Sequence, residues 1–258
     1  MIYSKDSDEN PLKLVNNQYL ILQKTDENEP ENDKIIDILR YFDGYYYKIS
    51  YKPLKNEYID LKPINLRQKL AFDLMQNDDV KIKTIMGEIG TGKDIVIFSH
   101  ALDKLSSGDI DKIVWIGNAV QAKGTKEIGF LPGSKELKLY ENYAVLSDVL
   151  GGEYILDDMI MKEKVIIEHV GGLRSRTFND AYIIVGEAQN FTIEQLKLIL
   201  GRVGYNSYIA FNGDIKQSDI NNSGFNQFID ALKGQELFGC IELDDVVRSE
   251  VAKLSLII

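Results

Sequence analysis

The stretch Gly87-Glu88-Ile89-Gly90-Thr91-Gly92-Lys93-Asp94, "GEIGTGKD", decides how this sequence is read. A strand-like run, "VKIKTIM", precedes it, and "KDIVIFSHALDKLSSG" follows with helical spacing. Glycines at 87, 90 and 92 let backbone N–H groups turn inward around an anion, and the start of a helix favours negative charge. Glu88, Ile89 and Thr91 complete this candidate phosphate cradle. Lys93 would reach the β- and γ-phosphates of a nucleotide as a point charge. A glycine-rich structural turn with a solvated lysine is the plainer alternative.

The eighth residue breaks the pattern. A phosphate loop carries Ser or Thr there, to give a hydroxyl to Mg²⁺. Asp94 gives a carboxylate, a good oxygen ligand for Mg²⁺ but a negative charge close to the phosphates. It is equally what the helix dipole favours at a helix start. A second stretch, "YIIVGEAQN" (Tyr182–Asn190), is altered in a matching way. A buried strand ending in two acidic residues would place Asp on the metal and Glu beside the attacking water. Here the first position is Gly186 and only Glu187 remains. The pairing suggests that Asp94 partly replaces the missing metal ligand. A third stretch, "FNGDIKQSDI", puts Asp214 and Gln217 just after a strand, where a polar residue can sense the γ-phosphate; an ordinary turn is the alternative.

Around these segments, from about residue 61 to 258, strands alternate with helices. Strand-like runs lie at "KIVWIG", "KVIIEHV", "AYIIVG", "SYIAFNG" and "GCIEL", and helical spacing at "LRQKLAFDLMQ", Lys135–Leu150, Thr192–Leu200, Phe225–Lys233 and from Val247 onwards. Near-continuous apolar strands alternating with helices imply an α/β fold whose mostly parallel sheet is covered on both faces. Residues 1–60 differ. "QYLILQK" reads as a strand, "ENEPENDK" as an acidic loop, and "DILRYF" and "YYYKISY" flank the hairpin signal Asp43-Gly44. These make a small antiparallel β module, with Tyr45–Tyr47 expected as packing residues and stacking of bases on them the alternative.

With 258 residues, 44% hydrophobic and 27% charged, the chain has ample material for a core. A formal charge of -10 argues against broad binding to nucleic acid or anionic membrane, though a local basic groove remains compatible with it. The single cysteine, Cys240, lies in the apolar run "LFGCIEL" and reads as an inert buried thiol. No signal-peptide core and no membrane-length apolar run is visible, so a cytoplasmic protein is expected. His100 and His169 have no partner at metal-ligand spacing and read as ordinary core or surface histidines.

Several motifs in order resemble the PhoH-like family of P-loop ATPases. They are "NLRQKLAFDLM", "GEIGTGKD", "IGFLPGSKELKL", "RSRTFNDAYIIVGEAQNFTIEQLKLILGRVG", "GDIKQSDI" and "DDVVRSEVA". The resemblance runs from about Pro63 to the end and implies a RecA-like core similar to that of superfamily one helicases. It implies that Gln68 reads the adenine edge, that Glu187 orients the attacking water, and that Gln217 couples the γ-phosphate to motion. Arg202 and Arg248 match arginines that stabilise transferring phosphate, one of them from a neighbouring subunit; a surface ion pair is the bland alternative for each. ATP and Mg²⁺ are the implied cofactors, and a homo-oligomeric ring such as a hexamer and single-stranded RNA the implied partners. Arg174 and Arg176 would line an RNA path or a subunit interface. The β module is similar to the segment that joins a PIN nuclease domain to the ATPase in longer members; no PIN domain fits in this chain, so a PIN-type nuclease would be a separate partner.

Departures from the family fall where hydrolysis happens. Members carry Thr or Ser at position 94 and Asp at 186, and Arg-Pro where this chain has Gly117-Asn118. Nucleotide binding is therefore better supported than catalysis. Three functions compete: an ATPase with weak or metal-altered hydrolysis and a helicase-like role, a non-hydrolysing nucleotide-binding subunit, and an RNA- or protein-binding scaffold.

Overall fold

The computed structural model describes residues 10–24, 34–117, 144, 146–173, 176–218, 220 and 222–245. The dominant element is a six-stranded, all-parallel sheet. Its strands are β6 (Ile82–Gly87), β7 (Lys112–Gly117), β8 (Val165–His169), β9 (Ala181–Val185), β10 (Tyr208–Gly213) and β11 (Phe238–Leu243). All six match runs expected from the sequence. The spatial order is β11-β6-β10-β9-β7-β8, so β10 lies between the strand leading into "GEIGTGKD" and the strand leading into "GEAQN".

Both faces of the sheet are covered, which is why its central strands read as unbroken apolar runs. One face carries α1 (Leu66–Gln76), α2 (Lys93–Ser107) and α3 (Glu153–Met161), packed through Leu70, Phe72, Phe98, Leu156 and Met159. The opposite face carries α4 (Ile193–Leu200) and α5 (Phe225–Leu232), through Leu196, Ile199, Phe225 and Phe228. α4 opens on a capping box, in which Thr192 and Gln195 satisfy each other's backbone N–H. The architecture is the expected α/β one. α3 is not legible in the sequence as a separate helix, because its apolar residues continue the pattern before Gly151. That glycine's φ of 81° turns the chain and starts a new helix at Glu153. Most of the expected Lys135–Leu150 helix, and all of the expected helix from Val247, lie outside the described residues.

The N-terminal segment forms the antiparallel sheet β1 (Gln18–Lys24), β2 (Lys34–Phe42) and β3 (Tyr45–Lys48). Asp43 and Gly44 join β2 to β3 with φ of 46° and 82°, the doubly left-handed pair that a tight hairpin needs. The tyrosines of β3 divide. Tyr46 packs edge-on against Tyr41, whereas Tyr45 and Tyr47 are exposed, correcting the expectation that all three pack. A two-stranded ribbon, β4 (Leu54–Lys55) with β5 (Asp60–Leu61), leads into the main sheet.

This module is tied to the α/β core by buried polar contacts. Asp73 on α1 accepts from Tyr19 Oη at 2.6 Å and from the Ser50 N–H at 2.6 Å, with Arg40 Nε at 3.8 Å. Asn17 donates to the carbonyls of Phe238 at 2.8 Å and Glu236 at 2.9 Å, at the start of β11. Burial and the Asp73 carboxylate together push the Tyr19 phenol well above its ordinary range, so it stays a donor. Asp73→Ala leaves a buried hydroxyl, an amide and a guanidinium short of their acceptor. Urea denaturation should show a loss of about 2–4 kcal/mol.

Candidate functional site: a phosphate loop facing a rebuilt acidic strand

The loop after β6 has the shape expected of a phosphate cradle. Gly90 and Gly92 sit at φ of 90° and 89°, and Gly92 stands immediately before the first turn of α2. Gly87, at φ 149°, is hemmed in by the Leu243 carbonyl and Thr91 Oγ1, leaving no space for a side chain. Thr91 Oγ1 donates to the Glu88 carbonyl at 2.9 Å, and Ile89 is exposed at the tip. Lys93 is buried, with Nζ 2.6 Å from the carbonyl of Gly87 and 2.8 Å from that of Glu88. The ammonium thus folds back over the loop and donates to two of its carbonyls, bracing it.

Gln68 supports the loop from behind. Its backbone N–H is held by Asn65 Oδ1 at the start of α1, its Oε1 accepts from the Ile64 N–H at 3.1 Å, and its Nε2 donates to the Thr91 carbonyl at 3.4 Å. Sequence and structure therefore agree in bringing Gln68, Gly87, Glu88, Ile89, Gly90, Thr91, Gly92, Lys93 and Asp94 into one place.

Across the site, Glu187 adopts a left-handed backbone (φ 52°, ψ 49°) at the end of β9. A non-glycine residue there costs about 1–3 kcal/mol, strain of the kind stored where a side chain must be aimed. Its Oε2 accepts from Gln189 Nε2 at 2.6 Å, and Gln189 Oε1 in turn accepts from the Asp214 N–H at 2.9 Å. Asp214 is buried, with Oδ1 taking the Lys216 N–H at 2.9 Å, and Lys216 Nζ reaches back to Glu88 Oε1 at 2.9 Å. The loops after β6, β9 and β10 are thus linked by one path of hydrogen bonds.

Asp94 is held by a residue the sequence did not single out. Asn212, 1% exposed on β10, donates Nδ2 to Asp94 Oδ1, and its Oδ1 accepts from the Glu187 N–H at 2.7 Å. One amide thereby joins the helix after the phosphate loop to the acidic strand. Burial pushes the Asp94 carboxyl up from 3.8 to about 6, with the Glu187 charge adding to the rise and Lys93 opposing it.

Gly186 is the other unexpected feature. A Cβ built there would lie 2.9 Å from the indole of Trp115 on β7, with Nε1 at 3.3 Å. Trp115 is 2% exposed and edge-on to Phe98 of α2, and its Nε1 has no hydrogen-bond partner among the described residues. The chain's one tryptophan thus fills the space a longer side chain at 186 would need. Asp94, expected from the sequence as a replacement metal ligand, is turned to the Asn212 amide, and position 186 is packed by an indole.

The remaining candidates are dispersed. Gln217 is exposed after Asp214, and the residue beside Glu187 is Gln189. Arg202 follows α4 and its carbonyl accepts from the Phe178 N–H at 2.9 Å. Phe178 precedes β9 and lies at the opposite end of the sheet from Glu187, so Arg202 does not enter its own chain's phosphate site. Arg176 pairs with Glu168. Arg248 and Arg174, and Asn118 of the Gly117-Asn118 pair, lie outside the described residues. His100 is buried with Nδ1 3.1 Å from Tyr182 Oη, and burial, reinforced by Lys83 and Lys104, depresses its pKa well below 6.5. Burial pushes the Cys240 thiol up to about 12, consistent with an inert thiol. Among the described residues no cluster of three or more His, Cys, Asp or Glu is placed to hold a metal ion, and no helix is long and apolar enough to cross a membrane.

With the loop, the acidic strand and the strand between them in place, comparison with known proteins is decisive. The PhoH-like protein family model matches residues 60–257. The chain belongs to the PhoH-like family. Its fold is that of the family's P-loop ATPases. A PhoH-like protein of Bacillus subtilis is 35% identical over 84% of this chain and 69% of its own length. Protein PhoH2 of the same organism is 31% identical over 76% of this chain, and Protein PhoH2 of Mycolicibacterium smegmatis 27% identical over 77%. The match spans 47% of each PhoH2 relative, about half its length.

Ionised Asp94 contributes one part of the pH dependence of stability. Its folded pKa, about 6, exceeds the unfolded 3.8, so the charged form is the less stable one in the fold. The cost is present above about pH 6 and fades as the pH falls towards ~4. Asp94→Asn keeps an acceptor for Asn212 and removes the charge. It should raise stability by about 2–3 kcal/mol near pH ~8 and give no gain below about pH 4, measured by denaturation across pH.

Proposed function

We propose that this PhoH-like chain binds ATP or ADP through Gly87–Lys93 and hydrolyses ATP slowly or not at all. One observation carries the reading. Lys93, the glycines and Gln68 keep the geometry of a phosphate cradle, while Asp94, Asn212, Gly186 and Trp115 rebuild the side of the site where hydrolysis would be organised. Glu187 and Gln189 remain in place to hold a water near the terminal phosphate. Rate enhancement would still need charge stabilisation on that phosphate, from an arginine and a cation beyond Lys93. Arg202, remote from its own chain's site, suits delivery by a neighbouring subunit in a homo-oligomeric ring. A hexamer acting on single-stranded RNA, with or without a separate PIN-type nuclease, is the wider assembly into which such a subunit would fit.

Lys93→Ala removes the cation that would meet the phosphates without touching the apolar core. Titration calorimetry should detect ATP binding to the native chain and an affinity loss of about 100-fold or more in the variant. Equal affinity in the two proteins would overturn the reading.

A further inference from the structure

The acidic side of the site is built against a metal ion. Mg²⁺ takes near-octahedral oxygen ligands, commonly one or two carboxylates besides phosphate and water. At residue 186 there is no carboxylate and no space for one, because the Trp115 indole lies 2.9 Å from where a Cβ would stand. Gly186 is not held to glycine by its backbone, which lies outside the left-handed region and continues the ladder by donating to the Ile116 carbonyl at 3.0 Å. Packing against the indole is what confines it. At residue 94 one carboxylate oxygen, Oδ1, accepts from the Asn212 amide, so a neutral N–H donor rather than an open position faces it. Glu187 Oε2 likewise accepts from Gln189 Nε2. The Trp115 N–H, buried beside Gly186 and without a partner among the described residues, adds a further donor where a cation would need acceptors. The residues present do not fit the divalent ion that the family's nucleotide chemistry implies.

We propose that this chain binds nucleotide phosphates without a divalent cation, and that Trp115 is the residue that closes the metal position. Charge on the phosphates is then met by Lys93, by the N–H groups of the loop and by the start of α2. The indole, packed between Gly186 and Phe98, is a fixed wall of the site. This inference rests on the nucleotide reading above, and its test separates the two.

Titration calorimetry of the full chain with ATP, in EDTA and then in excess Mg²⁺, should give dissociation constants within about threefold of each other. Tightening by more than that in Mg²⁺ overturns the proposal and leaves nucleotide binding intact. Absence of binding in both buffers overturns the nucleotide reading, and this proposal with it. A pair of variants tests the role of the indole. Gly186→Asp alone should lower the melting temperature, and adding Trp115→Leu should recover it. If Gly186→Asp melts like the native chain, the indole does not close that position and the assignment to Trp115 fails.

Discussion

Everything at the nucleotide face turns on one amide, that of Asn212. A carboxylate in the first turn of α2 is largely sequestered from water and close to a second carboxylate, Glu187, so it needs a donor of its own. Asn212 supplies it, and with its oxygen holds the N–H of Glu187 in the strained backbone that aims that side chain. The amide can reach both partners only because β10 is inserted between β6 and β9. The path continues through Gln189, Asp214 and Lys216 back to Glu88 of the phosphate loop. Removing the Asn212 side chain would leave Asp94 without its donor and Glu187 without its anchor.

Magnitudes support the proposed reading of binding over turnover. Two unit charges 4 Å apart in a partly solvated protein site interact by about 4 kcal/mol. A carboxylate at position 94 beside a terminal phosphate therefore opposes much of what Lys93 contributes. A hydroxyl there would carry no such cost, and a metal between the groups would reverse its sign. The chain instead balances Asp94 with a neutral amide and packs an indole where the acidic strand would carry a second carboxylate. Such a site can hold phosphate by its N–H groups and one ammonium. Among the described residues little else is placed to spread charge over a transferring phosphoryl group.

The sheet and the phosphate loop were legible in the sequence because each strand is a short apolar run and the loop is a contiguous motif. Glycines at 87, 90 and 92 and lysine at 93 have few other reasons to occur together between a strand and a helix. Gly186 was legible as a departure but its cause was not, since Trp115 lies some seventy residues away and meets it only through the β7–β9 register. Asn212 and Gln189 were hidden for the same reason. Asn in a strand and Gln in a turn carry no signal by themselves, and their roles follow from which strands are neighbours. The Tyr19, Ser50 and Arg40 contacts to Asp73 likewise depend on how the N-terminal sheet docks, which no periodicity records.

The central claim is that nucleotide is held but scarcely turned over. Single-turnover phosphate release tests it most directly, with radiolabelled ATP pre-bound to excess protein and sampled over time in Mg²⁺. Intact ATP persisting in the bound fraction for many minutes, at a rate below about 10⁻³ s⁻¹, is the predicted result. Conversion of the bound ATP to phosphate at about 1 s⁻¹ or faster, the lower end of ordinary enzymatic turnover, would contradict it.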